Sequence, residues 1–360
     1  MNTKDYTSEA VALLQKLIAI PSVSQQEEAA ADMFEQILHS YGFTPHRYHN
    51  NVWAFSHDFK EGMPTILLNA HIDTVKPVST WTHDPFVPTI EGDRLYGLGS
   101  NDCGGGLMAL LQVFRILGTR NWKRGERPQF IFLVSAEEEV SGKNGISSVL
   151  PLLPSIDVAI VGEPTGMEPA VAEKGLMVLD VIAHGKSGHA ARNEGVNAIY
   201  EILDDLQWIR SYEFDRVSPL LGPTKMQVTV IHAGTQHNVV PDECKVLVDV
   251  RTNERYSNRE VYDIIAGHLR SEVIPHSFRL NSSSIPLDHP LVRCCMELGM
   301  TPFGSPTLSD QALMSFPSLK LGPGDSARSH TADEYICVSE IQHAIEIYTL
   351  LLQNVQLQKV

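Results

Sequence analysis

Short apolar runs of strand length alternate with segments of helical periodicity, and this alternation limits the possible folds more than any other feature of the chain. Four apolar runs predict strands, at 65–70, 130–135, 157–161 and, more briefly, 319–321. Three segments with apolar residues at helical spacing predict helices, at 7–19, at 25–41 and from Gly104 onward. Such an alternation is typical of an α/β domain with a mostly parallel sheet.

The middle of the chain has a different order of elements. Its patterns predict a strand, a helix, two strands, a helix and a strand, at 175–183, 197–211, 226–233, 243–251, 258–271 and 277–281. This β-α-β-β-α-β order is that of a ferredoxin-like domain. We therefore predict a discontinuous α/β domain of residues 1–172 and 285–360, interrupted by an inserted domain of residues 173–284.

The composition excludes several classes of protein. With 43% hydrophobic and 20% charged residues the chain resembles an ordinary globular protein, and no apolar run approaches the ~18 residues of a membrane helix. A formal charge of −15 without any Lys/Arg run argues against partners such as nucleic acid or an anionic membrane. The five cysteines form no CxxC pair and the first residues are polar, so we expect a cytoplasmic protein.

Histidine and acidic residues follow the predicted strands of the α/β domain. The residues in question are His71 and Asp73 after the first strand, Glu137–Glu139 after the second, Glu163 after the third, His330 after the fourth, and Asp102 just before a helix. Taken singly, each has a simpler explanation, such as a hydrogen-bonded pair, a helix N-cap or a solvated turn. Ligands of open α/β sheets bind beyond the carboxyl ends of the strands, so together these residues predict a functional site at that edge.

The residue types indicate the chemistry of such a site. Two imidazoles and several carboxylates without a cysteine ligand suit zinc or a similar divalent ion. The carboxylates are too numerous for one zinc ion, whereas one shared Asp with a His and a Glu on each side would serve two. Two-metal sites of this kind polarise a carbonyl group and supply hydroxide at neutral pH.

Five motifs, in this order, resemble those of the M20 metallopeptidases: HID at 71–73, GSND at 99–102, AEEE at 136–139, GEPT at 162–165 and LGPGD…SH at 321–330. The resemblance covers nearly the whole chain, including the inserted domain, and is strongest to the acetylornithine deacetylase and succinyl-diaminopimelate desuccinylase branch. It implies two Zn²⁺ ions, for which Co²⁺ can substitute. One ion would be held by His71, Asp102 and Glu163, and the other by Asp102, Glu139 and His330.

The resemblance also implies roles for the residues around the ions. Glu138 would be the general base, and Asp73 would orient His71, as metal-bound histidines usually require. The triple Glu leaves a question of register: we favour Glu138 and Glu139, while Glu137 and Glu138 remain an alternative. The chain departs from the family at Asp102-Cys103-Gly104-Gly105, where many relatives have Asp-Met-Lys-Gly, so the function of that Lys is in doubt here.

In the inserted domain, the resemblance implies a lid and dimerisation function. His189, in KSGHAA, would reach the active site of a partner subunit in a homodimer and stabilise the oxyanion. Asn238 and Arg251 would contact the oxyanion and the substrate carboxylate; the alternative for Arg251 is a salt bridge at the end of its strand. Lys174 opens the domain just after GEPT and is the first candidate to meet the second carboxylate of a succinyl group, ahead of Lys186, Arg192 and Arg328.

The sequence therefore predicts a di-zinc amidohydrolase that acts on a small N-acyl amino acid. N-acetyl- or N-succinyl-ornithine, in arginine biosynthesis, is the first choice implied by the resemblance. The alternatives are a succinyl-diaminopimelate desuccinylase and a di- or tripeptidase of the same architecture. A serine hydrolase is excluded because no GxSxG motif occurs, and GKS at 185–187 is no P-loop because Asp180 replaces the required Gly.

Overall fold

The computed structural model describes residues 3–119, 128–192 and 194–357. The chain divides into two compact units. The first comprises Met1–Val171, Ile285–Phe303 and Ser309–Val360, and the second comprises Ala172–Ser284 and Gly304–Leu308. Within the described ranges, every helix is too short or too polar to cross a membrane.

The first unit is built on a mainly parallel sheet, which confirms the predicted α/β fold. Across the sheet the strands are His46–Tyr48, Asn51–Phe55, Gln129–Ser135, Thr65–His71, Val158–Val161, Ser318–Lys320 and Ala170–Glu173. The four from Gln129–Ser135 to Ser318–Lys320 run parallel, and the flanking strands pair antiparallel. Ile66 and Leu68 enter one apolar cluster and Leu67 enters another, so both faces of the sheet are covered. This explains why 66–68 and 130–134 are continuous apolar runs.

The α-helices of this unit are Thr3–Ile18, Glu28–Ser40, Gly105–Gly118, Ile146–Val149, Pro290–Glu297 and Val338–Asn354. Helix Gly105–Gly118 is buried over most of its surface and shares one apolar cluster with the first and last of these helices. A Cβ atom on Gly106 would lie 1.8 Å from the carbonyl oxygen of Gly162. Only glycine permits this approach, which brings the start of the helix against the residue that precedes Glu163.

A small antiparallel sheet holds the chain near His330. It consists of Thr89–Glu91, Arg94–Tyr96 and Tyr335–Cys337. The segment before its last strand is also bonded to the segment that leads to Asp102, because the N–H of Gly97 donates to the carbonyl oxygen of Glu334 at 3.0 Å. Residues 237 positions apart are thereby brought together within one unit.

The second unit has the predicted ferredoxin-like arrangement. Its antiparallel sheet has the strand order Lys225–Ala233, Glu243–Arg251, Met177–His184 and Glu272–Pro275. Its helices are Ala198–Glu201, Leu203–Ser211 and Asn258–His268. Two short strands, Gly188–His189 and Val239–Val240, pair beside it, and Ser283–Ser284 forms a further short strand. Buried and more exposed residues alternate along Met177–His184, as expected for a sheet with one face on a core.

The last strand of this unit was predicted wrongly. The prediction placed it at 277–281 after a helix of 258–271, whereas the helix ends at His268 and the strand is Glu272–Pro275. Neither proline nor glycine separates the two elements, so the sequence carried no boundary signal. The tertiary pairing of Val273 with Val181 decides the register instead. Among the elements not predicted from the sequence are His46–Tyr48, Asn51–Phe55, Ala170–Glu173 and Val338–Asn354.

Candidate metal centre

Three neighbouring parallel strands bring acidic and histidine side chains to one edge of the first unit's sheet. His71 is the last residue of Thr65–His71 and is in register with Ser135, after which Glu137, Glu138 and Glu139 follow. On the other side, Asn69 is in register with Val161, two residues before Glu163. Carboxyl ends of parallel strands meet at the same edge, so these side chains converge for a topological reason.

The first group of converging side chains contains His71, Asp102 and Glu163. Nε2 of His71 lies 3.2 Å from Oδ1 of Asp102 and 3.5 Å from Oε1 of Glu163. The imidazole of His71 is almost completely buried, and the two carboxylates are nearly so. Cys103 lies beside this group, since His71, Cys103 and Glu163 offer ligand atoms that are mutually within 4.8 Å.

The second group contains His330 and Glu139 and shares Asp102 with the first. Nε2 of His330 lies 2.9 Å from Oε2 of Glu139 and 3.7 Å from Oδ2 of Asp102. The two oxygens of Asp102 therefore face different histidines. This is the arrangement that a carboxylate shared by two cations requires. His330 is half-exposed, so this side of the centre is open to solvent.

The electrostatics of the centre call for cations. Burial, reinforced by the charge of Asp102, raises the pKa of Glu163 to about 8. Its buried Oε1 has no hydrogen-bond partner among the described residues. A hydrogen bond to Glu139 raises the pKa of His330 to about 9. Buried carboxylates are stable only when cations or hydrogen bonds compensate their charge. The oxygen and nitrogen donors present here therefore fit two divalent ions.

Asp73 connects two strand ends. Nδ1 of His71 hydrogen bonds to the backbone carbonyl oxygen of Asp73 at 2.9 Å, while the Asp73 carboxylate lies 3.6 Å from the same nitrogen. That carboxylate accepts hydrogen bonds from the N–H groups of Glu138 and Glu139, at 3.0 and 3.1 Å, and from the hydroxyl of Ser24 at 2.8 Å. Asp73 thus orients the imidazole mainly through its backbone, and its side chain holds the turn that carries the acidic residues.

The three consecutive glutamates have different surroundings. The Glu137 carboxylate accepts hydrogen bonds from the backbone and side-chain nitrogens of Asn144, at 3.1 and 3.0 Å, and is buried. Glu139 faces His330. Burial raises the pKa of Glu138 well above its ordinary value, and the charges of Glu163, Asp310 and Glu139 act in the same direction. The Glu138 carboxyl group therefore favours holding a proton.

The other predicted site residues belong to the second unit. The imidazole of His189 is exposed and accepts from the N–H of Ala191 at 3.1 Å, and the carbonyl oxygen of Asn238 accepts from the N–H of Ala190. The Arg251 guanidinium donates twice to Asp249, at 2.8 and 3.0 Å. Nζ of Lys174 donates to the carbonyl oxygen of Pro223 at 3.3 Å. The seven predicted residues of the first unit are brought together, whereas these four belong to the second unit.

Sequence reasoning missed two buried acidic residues near the ligands. Glu334 accepts hydrogen bonds from the backbone around Asp102. Asp310 accepts from the hydroxyl of Ser135 at 2.6 Å. Both are at most 4% exposed. The one available signal was that Glu334 shares a loop with His330, whereas the stretch around Asp310 has no distinguishing pattern.

Comparisons with known proteins agree with this geometry. Residues 67–354 match the family described as Peptidase family M20/M25/M40. A succinyl-diaminopimelate desuccinylase of Xylella fastidiosa (strain 9a5c) is 26% identical over an alignment that covers 96% of this chain and 98% of that protein.

Two solved structures show the same fold. Aminopeptidase PepT from Bacillus cereus has a TM-score of 0.76 at 19% identity, covering 97% of this chain and 98% of its own. The YXEP protein of Bacillus subtilis, described as a dinuclear metal-binding peptidase, has a TM-score of 0.70 at 18% identity with the same coverage. Since the family match spans most of its length, the chain belongs to peptidase family M20/M25/M40 and is a hydrolase of amide bonds.

Proposed function

We propose that this protein is a two-zinc amidohydrolase that removes a succinyl group from the amino nitrogen of a small amino acid, with N-succinyl-diaminopimelate as the leading substrate. The proposal of two metal ions rests on the orientation of Asp102, whose two carboxylate oxygens face different histidines. The substrate rests on the relatives, since the similar protein of Xylella fastidiosa is named a succinyl-diaminopimelate desuccinylase. The ornithine substrate and the pathway to arginine, predicted first from the sequence, receive no such support.

The residues of the centre have distinct functions in this proposal. His71, Asp102 and Glu163 would hold one ion, and Asp102, Glu139 and His330 the other. When bound, the two ions would polarise the amide carbonyl and lower the pKa of the attacking water. Glu138 takes a proton from that water and delivers it to the leaving nitrogen as the C–N bond breaks, which yields succinate and the free amino acid.

The environment of the three glutamates supports Glu138 as the base. Its carboxyl group has a raised pKa, as a group that must accept and then return a proton needs. The Glu137 carboxylate is hydrogen-bonded to Asn144, and the Glu139 carboxylate is hydrogen-bonded to His330. The Asp73 carboxylate accepts from the N–H of Glu138 and so fixes its backbone.

Cationic side chains of the second unit support a dicarboxylic substrate. Lys225 is the cross-strand partner of Arg251. Burial lowers the pKa of Lys174, and the positive charges of Lys225 and Arg251 lower it further. Like charges placed opposite each other destabilise a sheet, so this cluster favours an anionic ligand. Lys174 and Arg251 are our proposed carboxylate contacts. Arg328, a further candidate from the sequence, bonds to Glu340 at 2.8 and 3.1 Å, and Arg251 is likewise paired with Asp249, a bond that a ligand carboxylate would have to replace.

Apolar surface of the second unit supports a homodimer. Ile199, Tyr200 and Leu203 are exposed near one another in the chain, and Val230 and Ile231 are exposed on the edge strand Lys225–Ala233. Exposed apolar groups next to an unpaired strand edge are typical of a protein interface. We propose that this unit forms the dimer contact, and that His189 stabilises the oxyanion in the partner's active site.

A substrate panel tests the proposal. The zinc-loaded protein is assayed with N-succinyl-diaminopimelate, N-succinyl-ornithine, N-acetyl-ornithine and a set of di- and tripeptides. We expect succinyl substrates to be preferred at least about tenfold over acetyl ones, because a site built to bind a charged group rejects analogues without it. Preference for peptides or for acetyl substrates, in a preparation containing two ions per chain, would contradict the assigned acyl group and leave the metal centre intact.

A further inference from the structure

Glu334 is a buried acidic residue four positions after His330, with 2% of its surface exposed. Its Oε1 accepts hydrogen bonds from the backbone N–H groups of Asn101 and Asp102, both at 2.9 Å. Its Oε2 accepts from the N–H of Gly99 at 3.2 Å. One carboxylate therefore binds three N–H groups of the loop that carries the shared ligand Asp102.

This loop depends on contacts from outside itself. Asp102 has a non-helical backbone conformation (φ −114°, ψ 98°) immediately before helix Gly105–Gly118, so helical hydrogen bonds do not fix it. The Asn101 side chain bonds to both backbone groups of Asp325, at 3.0 Å each. The loop of Asp102 and the segment leading to His330 thus hold each other without using any ligand atom.

The chemistry of these contacts requires a carboxylate. A carboxylate offers only acceptors, whereas an amide of the same shape offers one oxygen and two N–H donors. With an amide, the Gly99 N–H or the pair from Asn101 and Asp102 would face another donor.

We propose that Glu334 is a positioning residue of the metal centre, holding the backbone of Gly99–Asp102 so that the two oxygens of Asp102 face the two metal sites. This inference rests on the two-metal centre proposed above. Glu334 itself binds neither metal nor substrate. Its effect on metal binding is indirect, through the direction of the Asp102 side chain.

The test compares Glu334→Gln with Asp333→Asn. Both variants replace one carboxyl group by an amide, at adjacent positions. The Asp333 carboxylate accepts from the N–H groups of Thr82 and His83, each at 2.9 Å, and has no bond to the Asp102 loop in the described residues. Metal-free proteins are titrated with zinc against a chelating indicator, and the absorption spectra of the cobalt-loaded proteins are recorded.

We expect Glu334→Gln to bind zinc about 10- to 100-fold more weakly and to have an altered cobalt spectrum, since residues that orient metal ligands typically have effects of this size. Asp333→Asn should keep the wild-type affinity and spectrum. Equal affinities in Glu334→Gln and wild type, or equal losses in both variants, would overturn the proposal.

Two further measurements keep the test decisive. If Glu334→Gln does not fold, Glu334→Asp replaces it, because the shorter carboxylate keeps the charge but cannot reach all three N–H groups. A folded Glu334→Asp with wild-type zinc affinity would overturn the proposal. Failure of the wild-type protein to bind two ions would instead refute the two-metal centre, so the two ideas fail separately.

Discussion

Replacing Gly106 by Ala tests how closely helix Gly105–Gly118 must approach the strand that ends before Glu163. The added Cβ would lie 1.8 Å from the carbonyl oxygen of Gly162. This is about 1.6 Å closer than the 3.4 Å at which ordinary van der Waals contacts begin. The obstructing atom belongs to the backbone, so a change of side-chain rotamer cannot relieve the clash. Either the helix or the strand end has to move.

The expected cost follows from two opposing effects. Overpacking a core costs about 1–3 kcal/mol, and a backbone-to-backbone clash belongs at the upper end of that range. Alanine recovers about 1 kcal/mol of helix propensity. The net loss of about 2 kcal/mol corresponds to a fall in Tm of roughly 4–8 °C for a domain of this size. A shift of Gly162 also displaces Glu163, so zinc affinity should fall as well.

Thermal unfolding of the metal-free and zinc-loaded proteins measures both effects. Gly118→Ala is the matched control on the same helix, because its Cβ would meet Phe43 at 3.4 Å, an ordinary contact. We expect the control to melt close to wild type in both states. If Gly106→Ala melts within about 1 °C of Gly118→Ala and binds zinc normally, the close approach does not constrain the site as argued.

Further predictions concern the metals, the base, the subunits and the pH dependence. A chelator should abolish hydrolysis, and zinc or cobalt should restore it. Among ligand variants, Asp102→Ala should lose most metal by elemental analysis, because both sets of candidate ligands share this residue. An active preparation without divalent metal would refute the mechanism. Glu138→Gln should retain metal but lose at least ~10²-fold in kcat, and a normal rate there with an inactive Glu137→Gln would shift the register by one residue. Mixing inactive His189→Ala with inactive Glu138→Gln should restore activity if His189 acts across a dimer, whereas no recovery after confirmed subunit exchange would place His189 outside the partner's site. Burial raises the pKa of Glu163 to about 8 in the folded metal-free protein, against ~4.3 in the unfolded chain, so the folded state binds the proton more tightly. The Tm of the metal-free protein should therefore fall as the pH rises from about 4 to 8. Glu163→Gln should reduce this fall, and an equally steep fall in the variant would show that other groups cause it.

The sequence by itself determined the class of fold and the edge of the sheet at which the candidate metal ligands lie. Short, mainly apolar runs at 65–70 and 130–135 predicted buried strands of a mostly parallel sheet, and the structure confirms this. His71, Glu139 and Glu163 follow such runs, so their positions at one edge follow from local pattern and the rules of parallel sheets. The motifs shared with the M20 family then predicted Asp102 and His330 as their companions.

Only the tertiary structure decided how these side chains are oriented and what holds them. Two oxygens of one aspartate face different histidines, Asp73 binds the backbone of Glu138 and Glu139, and Glu137 faces Asn144. Glu334 reaches the N–H of Asp102 across 232 residues of sequence. Local pattern specifies the direction of a side chain relative to its own strand or helix. Hydrogen bonds between distant loops depend on how those elements pack, and that information is contained in no single segment of the chain.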